Sequence, residues 1–273
     1  MPSHHTQISR FSSWFLRGFL TLVVILGVIT EGKKLASANP IDVQTPTNQQ
    51  NMIDQEFLQG KFEPSAHPDF QQVPLSHGDK PDMWIQKKTF EAFKKMANAA
   101  SNDGISLVIV SAARNFARQK SIWENKWSGK VKLEGNIHAP TAFPDPSDRA
   151  RAILKFSSMP GTSRHHWGTD IDINSVDPAY FQREKGKKVY QWLSTHAHNY
   201  GFCQVYSPKG EHRPSGYEEE PWHWSYTPLS KTYTDLISTM ITDADINGFL
   251  GSDTAPIIQV VHHYMLGINS KCK

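Results

Sequence analysis

Cysteine is scarce in this chain: two among 273 residues, Cys203 and Cys272, so at most one internal disulfide can form. Cys203 sits in the strand-like run "GFCQVY" and Cys272 one residue from the end; a bridge tying down the tail and two free thiols both stay open. Charge of one sign is also scarce. The net charge is +3, with no dense basic patch of the kind a nucleic-acid binder needs, so no nucleic-acid partner is expected. Long apolar runs are missing as well: Gly18–Thr30 has thirteen residues, short of the ~20 that span a bilayer. No internal repeat is visible, and the helical zinc signature H-E-x-x-H is absent.

The short apolar run has a definite reading. Arg10 and Arg17 precede it and Ala36-Ser37-Ala38 follows as an A-x-A site, which describes a secretory signal peptide over 1–38. Glu31, Lys33 and Lys34 make an unusually charged flank, so an uncleaved signal anchor is the alternative, and membrane contact is expected only in that case. Either way the rest of the chain is expected to be exported, to the periplasm or cell envelope.

Residues 39–82 read as a linker and N-terminal extension, polar and then proline-bearing. Helical spacing of Trp84, Ile85, Phe90, Phe93, Met96 and Ala97 predicts a helix over 83–100. "ISLVIVSA" (105–112) predicts a buried strand, 116–127 a helix, and 128–146 a loop. A further helix starts with Ser147 or Asp148 as N-cap. "KVYQWLSTHAHNYG" is a helix closed by Gly201, "FCQVY" a strand, and 229–268 helical in two pieces split near "DINGFLG". Helices and short strands mix without regular βαβ alternation, so the fold class is α+β.

Two stretches carry chemistry. In "TSRHHWGTDIDIN" (162–174), strand alternation sends Asp170 and Asp172 to one face and Ile171 and Ile173 to the other. Fifty residues later, "EPWHW" places Glu220 on a bend before Pro221 and His223 on the strand that follows. Two neutral imidazoles and one carboxylate would leave a zinc ion net positive, able to acidify water toward pKa ~7, with a free carboxylate beside it to move protons. Spacing alone leaves His165 and His166, and Asp170 and Asp172, all in play. A serine peptidase of the penicillin-binding type has little support: its S-x-x-K spacing occurs only at Ser270–Lys273, outside any helix or strand pattern.

"SRHHWGTDID" resembles the S-x-H-x-x-G-x-x-x-D signature of the VanX/VanY-type zinc D-alanyl-D-alanine carboxypeptidases (LAS peptidases), which share a fold with the Hedgehog N-terminal domain. "EPWHW" followed by Tyr226 resembles their E-x-W-H motif, and "SAARNFARQ" (111–119) their S-x-x-R-S-x-x-x-Q segment. The three occur in the family's order and together span roughly Trp84 to Tyr226. The resemblance implies a Hedgehog/DD-peptidase-like fold: a small antiparallel sheet flanked by helices, with one zinc ion on the sheet. The catalytic core would be 83–228, and 229–273 a C-terminal helical extension packed on it.

His165, Asp172 and His223 would bind the zinc, Glu220 would be the catalytic base, and Arg114 would hold the negative charge formed at the scissile carbonyl. Ser163 and Gln119 match positions that bind substrate; Asp170 could orient a ligand histidine, and His166 would not be a ligand. The expected partner is the stem peptide of peptidoglycan, and the chain is expected to act as a monomer. L,D-carboxypeptidase or endopeptidase action, or a non-catalytic zinc module that binds cell wall, are the alternatives. Three departures stand out: Asn115 where the family often has Ser, Ala112-Ala113 for Gly-Tyr, and Ser225 where an arginine often follows.

Overall fold

Two small antiparallel sheets organise the chain in a computed structural model that describes residues 53–273. The expected signal segment and the start of the linker lie outside the described residues. Among the described residues, no helix is long and apolar enough to cross a membrane. The elements that position the site are β1 (Phe70–Gln72), β2 (Trp84–Gln86), α1 (Lys87–Asn102), β3 (Ile109–Ser111), α2 (Phe116–Trp127), α3 (Pro146–Ile153), β4 (Asp170–Ile173), α4 (Glu184–His196), β5 (Phe202–Gln204), β6 (His223–Tyr226) and α5 (Thr227–Met240). β1 pairs with β2, and the other strands form one sheet in the order β3-β4-β6-β5, every pair antiparallel. The α+β class expected from the sequence is the class observed.

The larger sheet has two unlike faces because β4 alternates. Ile171 and Ile173 are fully buried with Phe90, Phe93 and Met96 of α1 and Val189 and Leu193 of α4. Each such isoleucine contributes about 1.5–3 kcal/mol through burial, so a one-residue slip of β4 would exchange that gain for buried carboxylates. The opposite face carries Asp170 and Asp172.

Several local expectations shift. The helix expected from 83 begins at Lys87, because the backbone of Trp84–Gln86 is taken up by a sheet: these residues pair with Phe70–Gln72, and Trp84 accepts from the Ala113 N–H at 2.7 Å. The segment before Pro81 thus contributes a strand. The strand expected over 105–112 contracts to 109–111. The N-cap of α3 is Asp145, whose Oδ1 accepts from the N–H groups of Ser147 and Asp148 at 2.9 and 3.0 Å, with Pro146 at the first helical position; proline fits there because no N–H is needed.

Beyond α5 the chain runs in short turns instead of a second long helix, because Pro256 and the left-handed Gln259 interrupt it. Ile246, Phe249, Ile258 and Met265 nevertheless pack in one cluster with Trp123, Trp167 and Tyr206. Cys203 and Cys272 form a disulfide, which ties the last residues to β5.

Candidate active site

Strand register brings the two chemical motifs together. Asp172 on β4 lies directly opposite His223 on β6, and Asp170 opposite Ser225. His165 arrives from a 3-10 turn, Arg164–Trp167, closed by Gly168 at φ +66°. A Cβ at Gly168 would stand 2.4 Å from the Phe70 ring, so only glycine allows the chain to turn there into β4.

The segment after β3 fixes His165. Its Nδ1–H donates to the Ala112 carbonyl at 2.9 Å, and the Arg114 N–H donates to the His165 carbonyl at 3.1 Å. That leaves Nε2 facing Asp172 Oδ1 at 3.3 Å, while His223 Nδ1 stands 3.5 Å from the same oxygen. One donor atom from each of His165, Asp172 and His223 lies within 4.8 Å of the others, all buried. Asp172 Oδ1 has no hydrogen-bond partner. Donors ~2.0–2.1 Å from a tetrahedral ion stand ~3.3 Å apart, so an orphaned carboxylate oxygen between two imidazole nitrogens fits a zinc-sized cation.

His166, its neighbour, points elsewhere. Its Nδ1–H donates to the Arg114 carbonyl at 2.6 Å, and its Nε2 accepts from the Gly161 N–H at 3.1 Å. With both nitrogens engaged, it has no lone pair for a metal.

A buried polar network lies behind His223. Asp170 Oδ2 accepts from His223 Nε2 at 3.0 Å and from Arg164 Nε at 2.8 Å. Arg164 is 1% exposed; it also donates to Thr234 Oγ1 and Ser225 Oγ and stacks on Trp167. Ser225, one of the departures, therefore has a defined place: it bonds both Asp170 and Arg164. Arg164, from the histidine motif, supplies the cation of this network. Asn115, another departure, caps α2 by accepting from the Arg118 N–H at 2.8 Å and donates to Glu63.

Burial and neighbours push the titrations apart. Burial disfavours a charged His223, but hydrogen bonds to Asp170 and Glu220 and the Asp172 charge raise its pKa to about 9. Burial and the Arg114 charge lower that of His165. Asp172 sits well below the usual carboxylate range, because His165 and His223 outweigh the effect of burial. Glu220 goes the other way: burial raises it, against the pull of His223. Three carboxylates around one imidazole make this a strongly cation-seeking position.

The site opens on two cavities. The larger, about 840 Å³, runs past Asp172 and Arg114 between Glu63–Ser65, Asp79–Trp84 and the segment after β3. The smaller, about 240 Å³, is lined by His165, Asp172, Glu220 and His223 together with Arg114 and Gln119. Glu220 Oε2 lies 3.1 Å from His223 Nδ1, and Arg114 Nε is buried without a partner. Gln119 donates through Nε2 to the Ser158 carbonyl at 2.8 Å, which leaves a buried, unpartnered Oε1. Ser163 Oγ is also buried and unpartnered, but Ser163 lines neither of these cavities. Sequence reasoning missed Lys126, Tyr206 and Tyr217 in the smaller cavity wall. Gln119, Ile122 and Lys126 follow i, i+3, i+7 spacing on α2, a signal that could have placed Lys126 beside Gln119.

Two imidazoles and a carboxylate on one sheet face, with a free carboxylate and an arginine beside them, define the class: a single-metal site of the hydrolase type. The chain belongs to the family described as "VanY: D-alanyl-D-alanine carboxypeptidase", which it matches over residues 82–229. It is 31% identical over 194 residues to YodJ of Bacillus subtilis (strain 168), whose carboxypeptidase name is provisional; the match covers 67% of this chain and 62% of YodJ. It is 28% identical over 165 residues to a D-alanyl-D-alanine carboxypeptidase of Enterococcus faecalis (strain ATCC 700802 / V583), covering 60% and 54% of the two. Both matches span less than two thirds of those relatives. A vancomycin-resistance D,D-pentapeptidase, VanY of a VanB-type cassette solved with Zn(II), is similar at 24% identity and TM-score 0.44, over 62% of this chain and 86% of that one.

Proposed function

We propose that this protein is an exported zinc carboxypeptidase that removes the terminal D-alanine from peptidoglycan stem peptides. One observation carries the reading: the unpartnered Asp172 Oδ1 between His165 and His223, with Glu220 in the wall of the same cavity. His165 Nε2, Asp172 Oδ1 and His223 Nδ1 would hold the ion. When bound, zinc supplies a Lewis acid that polarises the scissile carbonyl and acidifies water.

The chain's own groups do the rest. Glu220 takes a proton from the attacking water and passes it to the leaving amine; its raised pKa suits it to both transfers. The Arg114 guanidinium, with Nε free, holds the negative charge that develops on the carbonyl oxygen. Gln119 Oε1 accepts the peptide N–H that fixes the substrate's register. The open groove of about 840 Å³ suits the extended stem, and the cavity of about 240 Å³ the residue that leaves. The presence of both Glu220 and Arg114 favours an enzyme over a zinc module that only binds cell wall.

The test is incubation of metal-loaded protein with a defined stem pentapeptide. Release of one D-alanine supports the reading, and an intact peptide at high enzyme concentration contradicts it.

A further inference from the structure

The smaller cavity holds a cation that the chemistry above does not use. Lys126 is half-buried near the C-terminal end of α2, and its side chain lines the same wall as Glu220 and Arg114. Among the described residues its Nζ has one hydrogen-bond partner, the neutral Ser157 Oγ at 2.5 Å, and no carboxylate within ion-pair distance. An ammonium has three donors, so two remain available. A partly buried lysine beside Arg114, with only the Glu220 carboxylate beyond ion-pair distance to offset its charge, gains when a second anion arrives.

Position gives the anion's identity. Gln119 and Lys126 share a helix face and are seven residues apart, a rise of about 10 Å. Gln119 is one turn from the N-terminal end of α2, next to Arg114, where the scissile bond would lie; Lys126 is two turns further on. Phe156 and Ser157 lie at the Lys126 end, whereas the Ser158 carbonyl accepts from Gln119. A cavity of about 240 Å³ is below the ~300 Å³ at which pockets for larger ligands begin.

We propose that Lys126 receives the free α-carboxylate of the residue to be released, and so restricts the enzyme to chain ends. This rests on the proposed carboxypeptidase activity and adds the residue that would make it selective for a free chain end. An internal peptide bond would bring a neutral amide to Lys126 and leave its charge unanswered.

The test compares a stem pentapeptide with the same peptide bearing a C-terminal carboxamide. Wild-type protein should favour the free acid in kcat/KM by about 10- to 100-fold, the range of one charge-assisted hydrogen bond. In Lys126→Met and Lys126→Gln the acid-to-amide ratio should fall toward one, and Lys126→Arg should restore most of it. A lysine that only braced Ser157 would lower both substrates together and keep the ratio, which would overturn the proposal, as would equal cleavage of both by the wild type. Calorimetric binding of both peptides to metal-loaded Glu220→Gln protein separates the two readings. If neither peptide is hydrolysed the proposed activity fails, but tighter binding of the acid that is lost in Lys126→Met, Glu220→Gln protein still supports Lys126; equal binding of acid and amide rejects it.

Discussion

Asp170 accepts hydrogen bonds from His223 Nε2 and Arg164 Nε on a single oxygen, at 3.0 and 2.8 Å. The carboxylate thereby fixes the His223 tautomer and turns Nδ1 toward Asp172 and Glu220. Groups that orient a metal-binding histidine are typically worth 10- to 100-fold in affinity. Asp170→Asn should weaken zinc binding by about that factor in a chelator-competition titration. Asp170→Ala should in addition lower stability by about 3–5 kcal/mol, because Arg164 is left buried without its counter-ion. Unchanged zinc affinity in both variants would remove Asp170 from the site.

The adjacent histidines should separate cleanly. His165→Ala loses one donor and should bind zinc far more weakly, with the fold retained. His166→Ala should keep one zinc per chain, measured by elemental analysis, but melt at lower temperature, since the Arg114 carbonyl and Gly161 N–H lose their buried partner.

Burial lowers the His166 pKa from 6.5 to about 3 despite its bond to the Arg114 carbonyl. The unfolded chain then binds a proton between those values that the folded protein refuses. Stability from this group is complete above pH 6.5 and is lost as pH falls toward 3, by up to about 1.4 kcal/mol per pH unit. Denaturant unfolding of His166→Gln across pH 4–7 should show a shallower acid loss than the wild type. An identical slope would contradict the assignment.

Zinc must displace the proton that His223 holds up to a pKa of about 9. Below that pH, affinity should rise with pH, by up to about one logarithmic unit per pH unit for this single proton. Calorimetry in buffers of different ionisation enthalpy should detect its release at pH 7.

The Cys203–Cys272 bridge closes a separation of 69 residues. Chain-entropy reasoning gives such a loop a stabilisation of about 4 kcal/mol. Reduction, or Cys272→Ser, should therefore lower the unfolding midpoint while zinc stoichiometry stays at one, because no metal donor lies on the tail.

Sequence carried the site further than the frame around it. "DIDI" and "EPWHW" place their side chains by strand periodicity, which local sequence encodes, and the helix over 116–127 ends where its pattern ends. Trp84–Gln86 was unreadable because its strand state depends on pairing with Phe70–Gln72, a tertiary choice that overrides helical spacing. Choosing His165 over His166 needed the resemblance; in the structure it is the Ala112 and Arg114 carbonyls, some fifty residues away in sequence, that orient the two rings. Ser225 reads from sequence only as a departure and Arg164 has no reading of its own; the fold places both beside Asp170.

Glu220 tests the central claim most directly. Metal-loaded Glu220→Ala should keep one zinc per chain and release D-alanine from the pentapeptide at least about 100-fold more slowly than the wild type, as expected for loss of a general base. Turnover at the wild-type rate, with zinc still bound, would contradict the account.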